Sequence, residues 1–228
     1  MTQAFELMDR QVEALFTHDA AGRIVRQNEP DGPAAPLFFL GCTEGGNISR
    51  VRHDVPLNVA ARLDEIAGRE PVDAALPERP RCAEAIIHLL GAAASAGGGP
   101  AFCFDDVIPD AVGAVRVERD TTVLRGEFAW LVAEIEDRRP CFAVIEDGIA
   151  VSVCFSSRRS PRACEAGVET LAEHRGRGYA TAVTAAWARA VRDEGLTPLY
   201  STSWDNLASR GVARRLGLVQ YGTDWSVR

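Results

Sequence analysis

The segment from Cys164 to Glu194 constrains the fold most strongly. A run of β-forming residues (Cys164 to Leu171) leads into Glu173-His174-Arg175-Gly176-Arg177-Gly178. That turn opens directly into a helix from Tyr179, in which Val183, Trp187 and Val191 recur every fourth residue. A strand, a glycine turn and a helix N-terminus in this order require an α/β layer. They also place unpaired amides, carrying the positive end of the helix dipole, beside a flexible turn. Gly176 and Gly178 let an anion approach the main chain, and Arg175 and Arg177 add charge. Residues 175–181 are therefore a candidate phosphate cradle.

Composition narrows the anion. All 25 cationic side chains are arginine, so Schiff-base chemistry and the usual lysine-dependent phosphate loop are excluded. The lysine-free, Ala- and Arg-rich texture points to a GC-biased, bacterial-type genome. A dinucleotide fold needs several strand–helix units after its glycine fingerprint, and too little chain follows Thr181. The net charge of −7 disfavours nucleic acid, but it hides an asymmetry. Residues 158–228 carry 11 Arg against 7 acids, a net of +4, and residues 1–157 carry 14 against 25, a net of −11. A basic C-terminal third suits an anionic ligand.

Periodicity predicts a helix over 3–17, a short strand over 22–27, and a hairpin of 37–43 with 48–54. Helices are predicted over 57–68 and 81–90. Residues 91–100, GAAASAGGGP, read as an interdomain linker. After it come a strand over 114–118, a helix over 121–137, and an Asp-Gly hairpin joining 141–145 to 149–155. A basic loop is expected over 156–163, then strand 164–171, helix 179–194, strand 199–203, helix 206–216 and strand 219–227. This organisation divides the chain into an N-terminal α/β domain, 1–110, and a second domain, 111–228. Trp204 and Trp225 read as core or edge packing, and His174 as a surface residue. The six cysteines lie in apolar surroundings without metal spacing, which suits buried free thiols in a reducing cytoplasm. No apolar stretch is long enough to span a membrane, and no secretory signal core is evident. No metal is expected.

The glycine turn Arg175-x-x-Gly178-x-Ala180 resembles the Arg/Gln-x-x-Gly-x-Gly/Ala motif of the GNAT superfamily, acetyl-coenzyme-A-dependent N-acyltransferases. Leu199 to Ser203 looks like that family's fifth strand. Asn206-x-x-Ser209, continuing to Leu216-Gly217-Leu218, is similar to its following helix. The resemblance runs from Ala114 to the end. It implies a mixed, mostly antiparallel sheet flanked by helices, with the N-terminal segment an added α/β domain or a degenerate half of the same fold.

The resemblance also implies acetyl-coenzyme A as co-substrate. Amides of residues 177–181 would hold its pyrophosphate, and Thr170 and Leu171 would pair with the pantetheine arm. A backbone N–H near Leu171 would meet the oxyanion, while Asn206 and Ser209 would line the groove. The acceptor would be a primary amine of a small molecule or peptide, attacking directly in a ternary complex. Such an amine must be neutral to attack, so a base is required. Glu165, Gly167 and Glu169 share one strand face; Glu169 is the first candidate and Glu165 the second. The family's thiolate-protonating tyrosine falls at Ala213, which leaves Tyr221, Tyr179 or Ser209 as substitutes. The family's hairpin after this helix is also missing one strand, to be supplied by the N-terminal half or by a second subunit in a homodimer. The missing tyrosine motivates a rival reading, a non-catalytic coenzyme-A-binding or regulatory module.

Overall fold

The computed structural model describes residues 2–30, 32, 34–91, 95–118 and 121–228. In chain order the elements are α1 (Gln3–Leu15), β1 (Phe16–His18), β2 (Ile24–Gln27), β3 (Phe38–Thr43), β4 (Gly46–Val51), α2 (Leu57–Ala67), α3 (Ala83–Leu90), β5 (Ala96–Cys103), β6 (Ala114–Val117), α4 (Trp130–Glu134), β7 (Cys141–Glu146), β8 (Ile149–Arg159), β9 (Ala163–Thr170), α5 (Tyr179–Asp193), β10 (Thr197–Ser201), α6 (Leu207–Arg215) and β11 (Val219–Val227).

One nine-stranded sheet runs β4-β3-β11-β5-β10-β9-β8-β7-β6, and β1 pairs only with β2. Within the large sheet, β9–β10 is parallel and every other pair is antiparallel. This is the mixed, mostly antiparallel α/β arrangement expected.

Side-chain alternation divides the sheet into two faces. Cys154, Cys164 and Tyr200 point toward α5 and α6 and pack with Trp187 and Val191. Their neighbours Ala163 and Leu199 point the other way, into the cluster formed by Met8, Val12 and Leu15 of α1. Phe128 and Leu131, before and within α4, cover Val153 and Phe155 on that same second face. α2 and α3 cover Phe38, Leu40 and Trp225. The six cysteines are free, and burial pushes the thiols of Cys42, Cys82 and Cys141 up to about 12.

Four expectations are corrected. The glycine-rich segment at 91–100 is not a linker: its described part from Ala96 onward is β5, between β10 and β11. Residues 92–94 lie outside the described residues. A β-carbon at Gly99 would stand 1.6 Å from the Thr202 carbonyl oxygen, and at Gly98 2.1 Å from that of Asp224. The low complexity is a demand of close packing.

Residues 1–110 do not close a sheet apart from the rest, because β3, β4 and β5 all join the sheet that β11 completes. β5 also supplies the strand that the resemblance lacks after α6, from within the same chain. The helix over 121–137 is broken. Leu124, Phe128, Leu131 and Ile135 are buried as their spacing predicts, but Gly126 takes φ +61° and only Trp130–Glu134 is α-helical. The loop at 156–163 is short, because β8 continues to Arg159.

Candidate active site

β9 and β10 pair at Thr197/Ala163, Pro198/Cys164 and Leu199/Glu165, and there the pairing ends. Beyond it, β9 stays bonded to β8 as far as Thr170, and β10 stays bonded to β5 as far as Ser201. Each strand therefore keeps its outer partner while the inner edges part. The bulge between Ser156 and Arg158 of β8 lies beside this opening. Bulges bend a strand and re-aim its neighbours.

A cleft of about 580 Å³ fills the opening. Ala166, Val168, Thr170, Tyr200 and Ser201 line its strand walls. His174, Arg175, Gly176 and Gly178 to Thr181 line one end, together with Asn206, Ser209, Val212 and Arg215 of the α6 region. Glu127, Phe128 and Glu169 line it from the other face of the sheet, so the cleft passes between the strands.

The cradle has the expected backbone. Gly176 and Gly178 sit at φ +77° and +85°, and a β-carbon at either would meet nothing within 4 Å, so the space above the turn is open. The first helical donor of α5 is Ala182, whose N–H bonds to Gly178 O at 3.1 Å. The amides of Tyr179, Ala180 and Thr181 precede it and lack a carbonyl one turn back. Thr181 Oγ1 is buried without a partner. Unclaimed donors, an orphaned hydroxyl and open space together fit a pyrophosphate.

The two arginines differ. Arg175 lines the cleft, with Nε donating to Thr170 O at 3.3 Å. Arg177 turns away, and its guanidinium donates to Glu146 Oε2 at 3.3 Å. Glu146 also accepts from the Tyr179 hydroxyl and lies 3.0 Å from His174 Nδ1. The Tyr179 hydrogen bond, followed by Arg177 and His174, holds its carboxyl below the ordinary range. These contacts fix the turn by tying it to the β7–β8 hairpin. They remove Tyr179 as a free hydroxyl, and they make His174 a half-buried part of the cradle, not a surface residue.

Other expected residues fall in three groups. Asn206 lines the cleft and caps α6 by accepting from Ser209 N at 3.0 Å. Thr170 is in the wall, with its hydroxyl 2.8 Å from Ser152 Oγ. Leu171 cannot offer its own N–H to an oxyanion, because that group donates to Val151 O at 3.0 Å. Tyr221 is not in the cleft: its hydroxyl donates to Gln11 Oε1 at 2.7 Å beneath α1.

The two candidate bases share a face, as alternation predicts, but not an environment. Glu169 lies exposed at the cleft mouth. Partial burial raises its carboxyl, Arg138 opposes the shift and Glu127 adds to it. Glu165 is 2% exposed, and burial, aided by Asp224, pushes it up to about 8.

Tyr200 escaped the sequence reading. Its hydroxyl is 2.7 Å from Ser209 Oγ, and burial pushes it up to about 12. It reaches α6 one turn before Ala213, which is packed in the core. Ser201, Thr202, Glu127, Phe128 and Arg215 were missed as well. None has a local signal, because their convergence depends on which strand edges part.

A family model described as GNAT acetyltransferase matches residues 137–225. A GCN5-related N-acetyltransferase from Sphaerobacter thermophilus is similar in structure, with a TM-score of 0.51 and 13% identity, over 87% of this chain and 78% of its own. A GNAT-family acetyltransferase from Colwellia psychrerythraea gives a TM-score of 0.50 and 10% identity, over 79% and 75%. A GNAT-family protein from Novosphingobium aromaticivorans DSM 12444 is 19% identical with a TM-score of 0.45; the match covers 58% of this chain and spans 64% of that one. No curated protein matches the sequence. The family match falls on the part of the chain that carries the splayed strands and their glycine cradle, and over residues 137–225 the chain is similar to the GNAT superfamily.

Proposed function

We propose that the protein transfers an acetyl group from acetyl-coenzyme A to a primary amine of a small molecule or peptide, by direct attack in a ternary complex. The observation that carries this reading is the cleft between β9 and β10. It opens at one end on the α5 cradle and at the other on an acidic mouth. The coenzyme supplies an activated thioester. The amides of residues 176–181, the Thr181 hydroxyl and Arg175 would hold its pyrophosphate. Beyond the Leu199/Glu165 register β9 has no β10 partner, so its inner edge faces the cleft and an amide-bearing arm, and Asn206 and Ser209 form the opposite wall. Glu127 and Glu169 favour a cationic amine at the mouth. Tyr200 keeps its proton throughout the physiological range, and its hydroxyl pairs with that of Ser209 near where the family places a tyrosine on α6.

Calorimetric titration with acetyl-coenzyme A and a thiol-release assay over a panel of amines test the reading. Gly178→Glu places a carboxylate in the cradle at a positive φ and abolishes binding. Binding without thiol release for any amine would favour the rival, a coenzyme-A-binding module, which the alanine at position 213 motivates. Absence of binding in the unaltered protein would overturn both.

A further inference from the structure

Beneath α1 lies a set of buried and half-buried polar side chains that reaches the cleft through one hydroxyl. Ser201 Oγ lines the cleft and donates to Glu165 Oε2 at 3.2 Å. Glu165 Oε1 is buried with no partner. The two residues share the α1 face, because Ser201 is two positions beyond Leu199, the β10 residue in register with Glu165. Pairing ends at that register, so Ser201 is the first residue of this face in the open part of the cleft. Glu165 itself is absent from the cleft wall; its contact with the cleft is the serine hydroxyl.

We propose that Ser201 relays the acceptor's proton to Glu165. The Ser201 hydroxyl takes a proton from the acceptor nitrogen as it passes its own to Glu165 Oε2. This inference rests on the amine-acetylation reading and deepens it. The step balances: the nitrogen loses a proton, the serine is unchanged, and one buried carboxylate becomes a carboxylic acid. After the product leaves, the reverse relay passes that proton through Ser201 to solvent water in the open cleft.

The surroundings suit a carboxylate that accepts a proton near neutrality. Arg158 of β8 is opposite Glu165 in register, but its guanidinium is committed to Glu29 at 2.6 Å. Asp224 of β11 adds negative charge. It accepts from Gln11 Nε2 of α1 at 3.0 Å, and Gln11 Oε1 accepts from Tyr221 of β11 at 2.7 Å. Tyr221 thereby orients the Gln11 amide so that its N–H faces Asp224. Burial comes first and Asp224 second among the causes that push Glu165 up to about 8. An ionised carboxylate in this position readily takes up a proton.

The test compares kcat against pH for the unaltered protein, Ser201→Ala, Ser201→Thr, Glu165→Gln and Glu169→Gln. Acetyl-coenzyme A affinity is measured in each by calorimetry. The unaltered rate should level off near pH 8. Ser201→Ala and Glu165→Gln should lose roughly 10²-fold at neutral pH. Their rates should keep rising with pH, with coenzyme affinity unchanged. Ser201→Thr, which retains a hydroxyl, should recover the plateau. Carbon-13 titration of labelled glutamate carboxyls should show one group titrating near pH 8 that vanishes in Glu165→Gln. A Ser201→Ala profile that superposes on the unaltered one would overturn the relay. So would loss of the plateau in Glu169→Gln alone. Loss of coenzyme binding in the unaltered protein would instead remove the underlying function.

Discussion

Glu165 and Glu169 are four residues apart on one face of one strand, yet water reaches only the second freely. Alternation alone made them equivalent candidates. What separates them is α1, which packs over β9 from more than 140 positions away in sequence. The difference has a thermodynamic consequence. Glu165 and Asp224 are pushed up to about 8 and about 6, so the folded state holds protons that the unfolded chain releases near its ordinary carboxylate value. Their contribution to stability is therefore complete below about pH 4 and is lost as pH rises through 6 and then 8. The melting temperature should fall across that interval. In Glu165→Gln the decline between pH 6 and 8 should flatten, leaving the variant more stable than the unaltered protein at pH 9. Thermal unfolding at a series of pH values measures this, and parallel curves for the two proteins would refute it.

Among the elements, those with a strong local period were legible, and those set by packing were not. The α5 apolar spacing, the Asp147-Gly148 turn with both residues at positive φ, and the Asn206 cap are all local signals, and each is realised. The β5 strand carries the opposite message. Alanine and glycine disfavour a strand by propensity, and only the Pro100 to Phe104 end looks apolar. It is nonetheless flanked by partners on both sides, and its glycines let neighbouring backbone come within a side chain's width. Gly99→Ala therefore drives a β-carbon into the Thr202 carbonyl, with no flexible side chain to yield. We expect a loss of at least about 3 kcal/mol, at the upper end of overpacking costs. For a chain of this size that is a fall in Tm of roughly 6–12 °C. Gly97→Ala, where a β-carbon meets nothing within 4 Å, should be nearly neutral, and calorimetric melting of both variants distinguishes packing from composition. The 121–137 segment fails in the reverse direction. Its helical period buries the right residues, while Gly126 at positive φ breaks the helix that the period suggested.

At the scale of the whole molecule, the glycine-rich segment at 91–100 and the change of pattern after it suggested two bodies, 1–110 and 111–228. The sheet joins them. β11 has β3 on one side and β5 on the other, so both of its partners come from the N-terminal half. β10 likewise depends on β5 for its outer edge, and with it the geometry that opens the cleft. α1 adds Met8, Val12 and Leu15 to the core beneath the site, each contributing roughly 1.5–3 kcal/mol on full burial. Residues 111–228 alone would therefore expose both edges of β11 and the apolar face that α1 covers. This fragment should lack a cooperative unfolding transition and should not bind acetyl-coenzyme A. Co-expressed with residues 1–110, it should form a stable heterodimer with binding restored, because each half supplies the strands the other lacks. Circular dichroism melts and calorimetry on the fragment, the co-purified pair and the intact chain decide the matter. A cooperatively folding, coenzyme-binding 111–228 fragment would mean that the C-terminal half closes its sheet without β3 and β5, and that the N-terminal half is an appended domain after all.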